Sequence, residues 1–259
     1  MKKAIKRIYM GIIYLFLYAP IIVLIVFSFN QSKSRGHWGG FTLDWYVELF
    51  KDRQIREALY FTILIAVLST LISTVVGTFA ALGINNMTKL GRTIVLNLNN
   101  LPVLNPDIVT GVALMTLFIS IRVELGFFTM LIAHIVFSIP YVILAVLPKL
   151  RQLNKHTAEA ALDLGATPAY AMRKVIIPEI MPGIVSGALI AFTLSIDDFV
   201  ISFFTAGTSA TNLSILIYSM AKRGVKPTIN ALSTLMFLVV LILMLIINKK
   251  NERGEDIII

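Results

Sequence analysis

The segment Glu159-Ala160-Ala161-Leu162-Asp163-Leu164-Gly165 runs on through Thr167-Pro168 to Arg173-Lys174-Val175-Ile176-Ile177-Pro178. It lies between long apolar runs and is itself polar and helix-prone, so it has no reason to sit in lipid. Asn154 is placed to cap a helix over residues 155–164, which Gly165 stops. Thr167 caps a second helix, with Pro168 suited to its first turn. The spacing predicts helix, tight turn, helix on an aqueous face. Ala158, Ala161, Leu162 and Gly165 form a stripe of small residues that fits a groove on another protein. Taken from these residues alone, the segment reads equally as a solvated linker or as a docking element.

The rest of the chain decides what surrounds it. Of 259 residues, 57% are hydrophobic and 14% charged, against about 45–50% and about 25% in soluble domains. Too few charges are available to cover a soluble surface, so the bilayer is the expected solvent. The net charge of +9 does not point to nucleic acid, because the basic residues cluster in short tethers between apolar runs, where they orient membrane helices. Cysteine is absent, which removes disulfides and thiolate chemistry. His37, His134 and His156 are scattered and make no metal-ligand set. With no phosphate-binding Gly-rich Lys-Ser/Thr loop and no nucleophile–base arrangement, the chain is expected to bind no cofactor and to catalyse no reaction.

Six spans are expected. The first, 8–29, follows Lys2, Lys3, Lys6 and Arg7 and carries Pro20 as a kink; about 20 apolar residues suffice to cross, and the run is too long for a signal peptide. An external loop, 30–57, holds a short amphipathic helix within Phe41–Phe50, with Thr42 as N-cap and Trp45 and Tyr46 at the interface. The second span, 58–84, carries small and hydroxyl residues that favour close helix contact. In the third, 93–121, Asn97, Asn99, Asn100, Pro102, Asn105, Pro106 and Asp107 imply a broken helix whose freed backbone groups must face protein or a wet cavity. The fourth is 127–147, the fifth 181–204, and the sixth 229–247, with a short amphipathic helix at 213–220 before it. The fold class is therefore an all-α integral membrane protein, a single transmembrane domain over 1–259 with core helices within 58–248 and a polar loop at 154–178.

An even number of spans places both termini on one side. With the N-terminus inside, the inner set of basic residues is Lys2, Lys3, Lys6, Arg7, Lys89, Arg92, Lys149, Arg151, Lys155, Arg173, Lys174, Lys249, Lys250 and Arg253. The outer set is Lys33, Arg35, Lys51, Arg53, Arg56, Arg122, Lys222, Arg223 and Lys226. The inner set is larger and sits closer to helix ends, which puts both termini and the 154–178 loop in the cytoplasm.

Glu159, Ala160 and Ala161, then Gly165, then Val175, Ile177 and Pro178, follow the spacing of the "EAA" loop, and the chain resembles the permeases of bacterial ATP-binding-cassette importers. That family more often has Ile and Leu where this chain has Val175 and Ile177. Within the family the Gly40–Tyr46 segment, the Asn-Pro-Asp of the third span and Ser195–Phe199 look most like the polyamine (spermidine/putrescine) permeases; importers of iron, thiamine and other small solutes share related segments. The resemblance implies a type I importer permease fold in the bacterial inner membrane. It makes Glu159, Ala160, Ala161, Gly165 and Pro178 the coupling loop for an ATPase dimer, which would bind the ATP and Mg. It also implies a second permease, related rather than identical, and an extracytoplasmic solute-binding protein. ATP-driven closure of the ATPase would move the coupling helices as levers and switch the path.

The cargo is read from acids in apolar segments. A carboxylate there costs at least about 2.5–3.5 kcal/mol, so Asp107, Asp197 and Asp198 should face a cavity or a partner. Asp107 lies roughly 21 Å along its span at the helical rise, a little past the middle of a core about 30 Å thick. Asp197 and Asp198 point about 100° apart on a helix, so only one of them is expected to line a path. A path for a polycation is the functional reading; the structural one has Asp107 capping the resumed helix after Pro106 and Asp198 satisfying backbone groups of a neighbour. Trp45 and Tyr46 are either cation–π contacts worth about 0.5–2 kcal/mol or residues of the interfacial belt. His134, in the fourth span, reads as a helix–helix hydrogen-bonding residue ahead of a proton relay. A proton- or sodium-coupled secondary transporter is the rival class; it predicts inverted repeats, which the sequence lacks, and leaves the Glu159–Pro178 pattern without a use.

Overall fold

The computed structural model describes residues 2–32, 37–224 and 227–255. Lys33, Arg35 and Lys226 of the charge count lie outside the described residues, as do the side chains of Lys2, Lys3, Lys155, Ala158, Lys249, Lys250 and Arg253. In chain order the helices are α1 (Lys2–Ser28), α2 (Asp44–Lys51), α3 (Arg53–Asn85), α4 (Lys89–Leu104), α5 (Asp107–Ser120), α6 (Phe127–Gln152), α7 (Lys155–Asp163), α8 (Pro168–Ala171), α9 (Ile177–Asp197), α10 (Val200–Thr205), α11 (Leu213–Lys222) and α12 (Pro227–Glu255). A π-helical turn, Met172–Ile176, joins α8 to α9. The chain divides into two compact units, 1–58 with 216–246, and 59–215 with 247–259.

In the first unit, α1 is continuous through Pro20. It is apolar on every side, with Leu15, Phe16 and Val23 exposed, the pattern of a helix whose solvent is lipid. Its end is fastened to the loop that follows. Asn30 is 1% exposed; its side-chain oxygen accepts from the Ser32 and Gly39 N–H groups and its amide donates to the His37 carbonyl. Phe29 stacks on Phe41 with ring centroids 5.4 Å apart. Thr42 does not cap α2 from the N-cap position, which Leu43 occupies. Its hydroxyl instead accepts from the Asp44 N–H one residue inside, a local turn that serves the same orphan donor. The Asp52 carboxylate takes the Gln54 N–H at 2.8 Å and so opens α3.

The second unit is built on α6 packed along α9. Val142, Ile143 and Val146 of α6 share a core with Ile180 and Ala191 of α9 and with Ala81, Leu82 and Ile84 of α3. Close approach depends on glycine. A Cβ on Gly187 would stand 3.2 Å from the Val142 Cα, one on Gly183 3.0 Å from the Ala145 carbonyl, and one on Gly77 2.7 Å from the Val142 side chain. Without a hydrophobic drive between helices in lipid, such small-residue contact is what holds them.

Among the described residues, four helices are long and apolar enough to cross a membrane: 6–28 of α1, α3, α6, and the continuous rod Pro168–Asp197. The pair α4–α5, bent by 104° at Asn105–Pro106 where the sequence asked for a break, is apolar enough to make a fifth span when the two helices are taken as one. The expectation of an unbroken fifth span over 181–204 is corrected. Its helix begins in the polar loop, at Pro168, and ends at Asp197; a separate turn, α10, follows an extended Asp198 with ψ 124°. The reason is the adjacent acid pair, since Asp is a far better N-cap than helix-interior residue.

Replacing Gly187 by Leu should therefore lower the thermal stability of the purified protein by an amount typical of overpacking, about 1–3 kcal/mol. Gly83→Leu, where an added Cβ meets nothing within 4 Å, should leave the melting temperature unchanged within error.

Candidate functional site

Two places in the second unit carry chemistry. The first is the polar segment. The Asn154 side chain accepts from the His156 N–H at 3.1 Å and starts α7. The helix ends in a Schellman pair: the Gly165 N–H bonds the Leu162 carbonyl at 2.9 Å and the Ala166 N–H bonds the Ala161 carbonyl at 3.1 Å. This closure needs a left-handed residue, and Gly165 has φ +85°. The Thr167 hydroxyl accepts from the Tyr170 N–H and starts α8. From there the chain does not turn away. Pro178 has no N–H, and in an α-helix its ring would press on the carbonyl four residues earlier. A π turn precedes it, closed by the Ile177 N–H on the Met172 carbonyl, and the wider turn makes room for the ring.

On the surface so formed, Glu159 is 69% exposed and its carboxylate meets the His156 Nδ1 at 2.9 Å. Ala160, Gly165 and Pro178 are exposed and Ala161 is half-buried. Beside them Leu164 is 89% exposed and Tyr170 58%. The sequence reading missed both as surface features. A Leu at the end of a short helix gives no local sign of whether it points inward or out. Behind the segment lies a cavity of about 450 Å³ bordered by Asn85, Arg92, Arg151, Thr157 and Met172. Arg92 donates to the Ile84 carbonyl at 3.2 Å and to the Asn85 carbonyl, a cation on the exposed carbonyls of a helix C-terminus.

The second place is an open cavity of about 280 Å³ lined by Asp107, Phe137, Thr193, Leu194, Asp197, Asp198, Phe199 and Val200. The three acids that the sequence singled out meet there, but their surroundings differ. Asp107 is exposed in the first turn of α5, whose N-cap position is held by Pro106 with no side-chain cap. Asp197 is exposed at the end of α9. Among the described residues neither carboxylate has a hydrogen bond or an ion pair. The Asp198 side chain is 7% exposed, and its two oxygens take the Ile201 N–H at 3.2 Å and the Ser202 N–H at 2.7 Å. It holds the first turn of α10 from the residue before that helix's N-cap, Phe199, and so serves backbone groups of its own segment and not those of a neighbouring helix.

Packed against Asp198 is a buried polar chain that sequence reasoning did not assemble. The His134 ring is 2% exposed. Its Nδ1 lies 2.7 Å from the Ser195 hydroxyl and its Nε2 lies 2.9 Å from the Ser202 hydroxyl and 3.5 Å from the Asp198 carboxylate. The Ser69 hydroxyl donates to Ser195 at 3.1 Å, and the Asn212 amide donates to Ser202 at 2.8 Å. Ser195 sits in the stretch quoted for the resemblance; Asn212 lies in a connection and carries no local signal.

Trp45 and Tyr46 belong to the first unit and are engaged there. The Trp45 indole N–H donates to the Asn30 carbonyl at 2.8 Å, and the Tyr46 hydroxyl meets the Ser28 hydroxyl at 2.7 Å. The Tyr46 ring packs 5.3 Å from that of Phe29. Both side chains thus fasten the loop to the end of α1.

The family described as the binding-protein-dependent transport system inner membrane component matches residues 73–253. Among curated proteins, the chain is 36% identical to the spermidine/putrescine transport system permease protein PotC of Haemophilus influenzae, over 96% of this chain and 98% of that one. It is 37% identical to PotC of Escherichia coli, over 95% of each chain. It is 38% identical to the putrescine transport system permease protein PotI of Escherichia coli, over 85% and 81%. Among solved structures, a chain of a bacterial ABC transporter that imports the acidic polysaccharide alginate superposes with a TM-score of 0.70 at 21% identity, covering 97% and 98%. A chain of the inward-facing MetNI methionine ABC transporter gives 0.63 at 19% identity, covering 82% and 99%. These two show a shared fold.

The division of labour between the neighbouring acids has a direct consequence. Asp198→Ala should destabilise the protein by roughly the worth of a helix cap, about 0.5–2 kcal/mol, and Asp198→Asn, which keeps one of the two acceptors, should cost less. Thermal unfolding of the two variants side by side measures this.

Proposed function

We propose a role for this chain within the family to which it belongs, the inner membrane components of binding-protein-dependent transport systems: it forms half of an ATP-driven import path for a polyamine of the spermidine/putrescine kind. The observation that carries the cargo reading is the pair of unpartnered carboxylates, Asp107 and Asp197, on one cavity. A bare acid in an apolar segment is costly, and a di- or triamine brings the two opposite charges that relieve it. The curated relatives are named for the same class of solute, which supports the reading independently of the cavity.

In this role the chain crosses the bacterial inner membrane six times. Five crossings are α1, α3, the bent α4–α5 pair, α6 and the Pro168–Asp197 rod; the sixth is α12. Both termini are cytoplasmic, and the whole chain acts as one permease domain. The chain is a membrane component and not a catalyst. An ATPase dimer holds the ATP and Mg and receives the coupling surface made by Glu159, Ala160, Ala161 and Gly165. Pro178 sets the π turn that ties this surface to α9. Leu164 and Tyr170 extend the surface as apolar contacts. A second permease, related and not identical, completes the path, and an extracytoplasmic binding protein delivers solute to it. ATP closes the ATPase dimer, the α7–α8 corner moves with it, and α9 carries the motion toward Asp197.

Two measurements test the two ends of this role separately. Gly165→Arg places a bulky cation where the corner needs a left-handed glycine; co-purification of the ATPase with tagged protein, and uptake with it, should be lost. Asp107→Asn and Asp197→Asn should keep the ATPase bound and raise the KM for a triamine about tenfold or more, on the scale of a lost charge-assisted contact. Unchanged uptake in both Asn variants would remove the cargo reading and leave the coupling reading standing.

A further inference from the structure

The break between α9 and α10 lies beside the cavity and places Asp197 there. A free helix end has no reason to hold one direction. Here it is bridged by a single side chain from another helix. His134 of α6 reaches Ser195, two residues before Asp197, and Ser202, four residues after Asp198, with its two ring nitrogens at 2.7 and 2.9 Å. The hydrogen-bond directions are consistent. Ser69 donates to Ser195, which leaves the Ser195 proton for Nδ1 and puts the ring proton on Nε2, toward Ser202. Asn212 donates to the same Ser202 oxygen and also reaches the Asp198 carbonyl at 3.3 Å. Its own side-chain oxygen takes the Ile215 N–H at 2.9 Å. One neutral tautomer of the ring, protonated on Nε2, fits both of its serine contacts.

We propose that His134 is a positioning residue for cargo recognition: by clamping Ser195 and Ser202 from the two sides of the break, it fixes the backbone at 197–199 so that Asp197 faces the cavity shared with Asp107. The inference rests on the cargo role of Asp197 proposed above. It gives the neighbouring acids distinct duties, Asp198 holding the turn and Asp197 receiving the solute. The direction of the free carboxylate then depends on a ring that never touches it.

The test uses the assembled transporter in vesicles. Because the chain has no cysteine, a single introduced thiol reports its own position, read on this chain by mass spectrometry after exposure to a cationic methanethiosulfonate. Asp197→Cys samples the break; Thr193→Cys samples the same cavity one turn earlier, on α9. Adding His134→Ala should slow labelling at position 197 about fivefold or more, within the coupling shown by residues of one hydrogen-bond network, and leave position 193 unchanged. Equal behaviour of the two positions, whether both change or neither does, overturns the proposal.

Kinetics give the second arm. His134→Ala and Asp197→Asn should each raise the KM for a triamine while the maximal rate stays within about twofold, and the double variant should be no worse than the worse single one, since residues acting as a unit are non-additive. His134→Gln, which can still both donate and accept, should recover part of the loss. Fully additive effects overturn the positioning role. If Asp197→Asn alone leaves uptake unchanged, the cargo reading fails, while the labelling comparison still decides what His134 does. Where His134→Ala does not assemble, Ser202→Ala removes one arm of the clamp at little change in volume and is read by the same criteria.

Discussion

A helix opened inside an apolar layer exposes N–H and C=O groups that no water can satisfy; this chain breaks its apolar helices at Asn105–Pro106 and at Asp198–Phe199, and meets a related problem at Pro178 of the polar segment. Each is resolved by different chemistry. At Asn105–Pro106 the imino acid removes one donor, the Asn105 N–H returns to the Leu101 carbonyl, and the Val109 N–H returns to that of Pro106. At Asp198–Phe199 the Asp198 carboxylate takes two of the N–H groups that start α10. Ahead of Pro178 the helix widens into a π turn and stays continuous. The candidate cargo residues and the candidate coupling surface are the by-products of these solutions. Asp107 stands at the first break, Asp197 at the second, and the coupling corner grows out of the third.

The sequence was most informative where local chemistry has one answer. Gly165 announced a left-handed helix stop, Asn154 and Thr167 announced caps, and Asn105-Pro106-Asp107 announced a break, because each depends on neighbours within a few residues. The stretch 154–178 is helical on both sides of its corner, as the spacing asks, but its second helix runs on without a stop into α9. Whether a proline such as Pro178 terminates a helix or is absorbed by a π turn depends on packing that the sequence does not display. The buried chain Ser69–Ser195–His134–Ser202–Asn212 was illegible for a related reason. Its members are far apart along the chain, and hydroxyls in apolar helices read simply as small residues suited to close contact. Two residues carried a hint: His134, read as a helix–helix hydrogen-bonding residue, and Asp198, for which satisfying backbone groups was one of the two readings.

That pair shows how the same residue type is divided by its surroundings. The Asp198 carboxylate is held by N–H groups on the scale of a charge-assisted contact, and the ring of His134 excludes solvent from it. Asp197, one residue earlier, keeps its carboxylate exposed. The arrangement separates fixing the backbone from presenting charge. A free acid in a broken helix is useful for recognition only if something else holds the break, and in this chain the adjacent acid and a histidine from α6 do so.

The rod Pro168–Asp197 then connects the two candidate sites mechanically. Its 30 residues span roughly 45 Å at the helical rise. Its start belongs to the proposed docking corner and its last residue is the unpartnered acid on the cavity. Glycines 183 and 187 face α6 at near-contact distance, so they seat the rod against a neighbour and do not line an open path. A helix so seated can slide or tilt as a body more readily than it can flex, because interdigitated cores deform little. Under the role proposed here, motion imposed at the α7–α8 corner reaches Asp197 without a loop in between to absorb it. The break lies after the acid and not before it, so the charge moves with the rod while α10, held at its first turn by Asp198 and packed on α5 and α6, stays with the scaffold. The clamp at His134 spans that same junction. The buried network around His134 is thus also the place where a moving element and a fixed one would have to part.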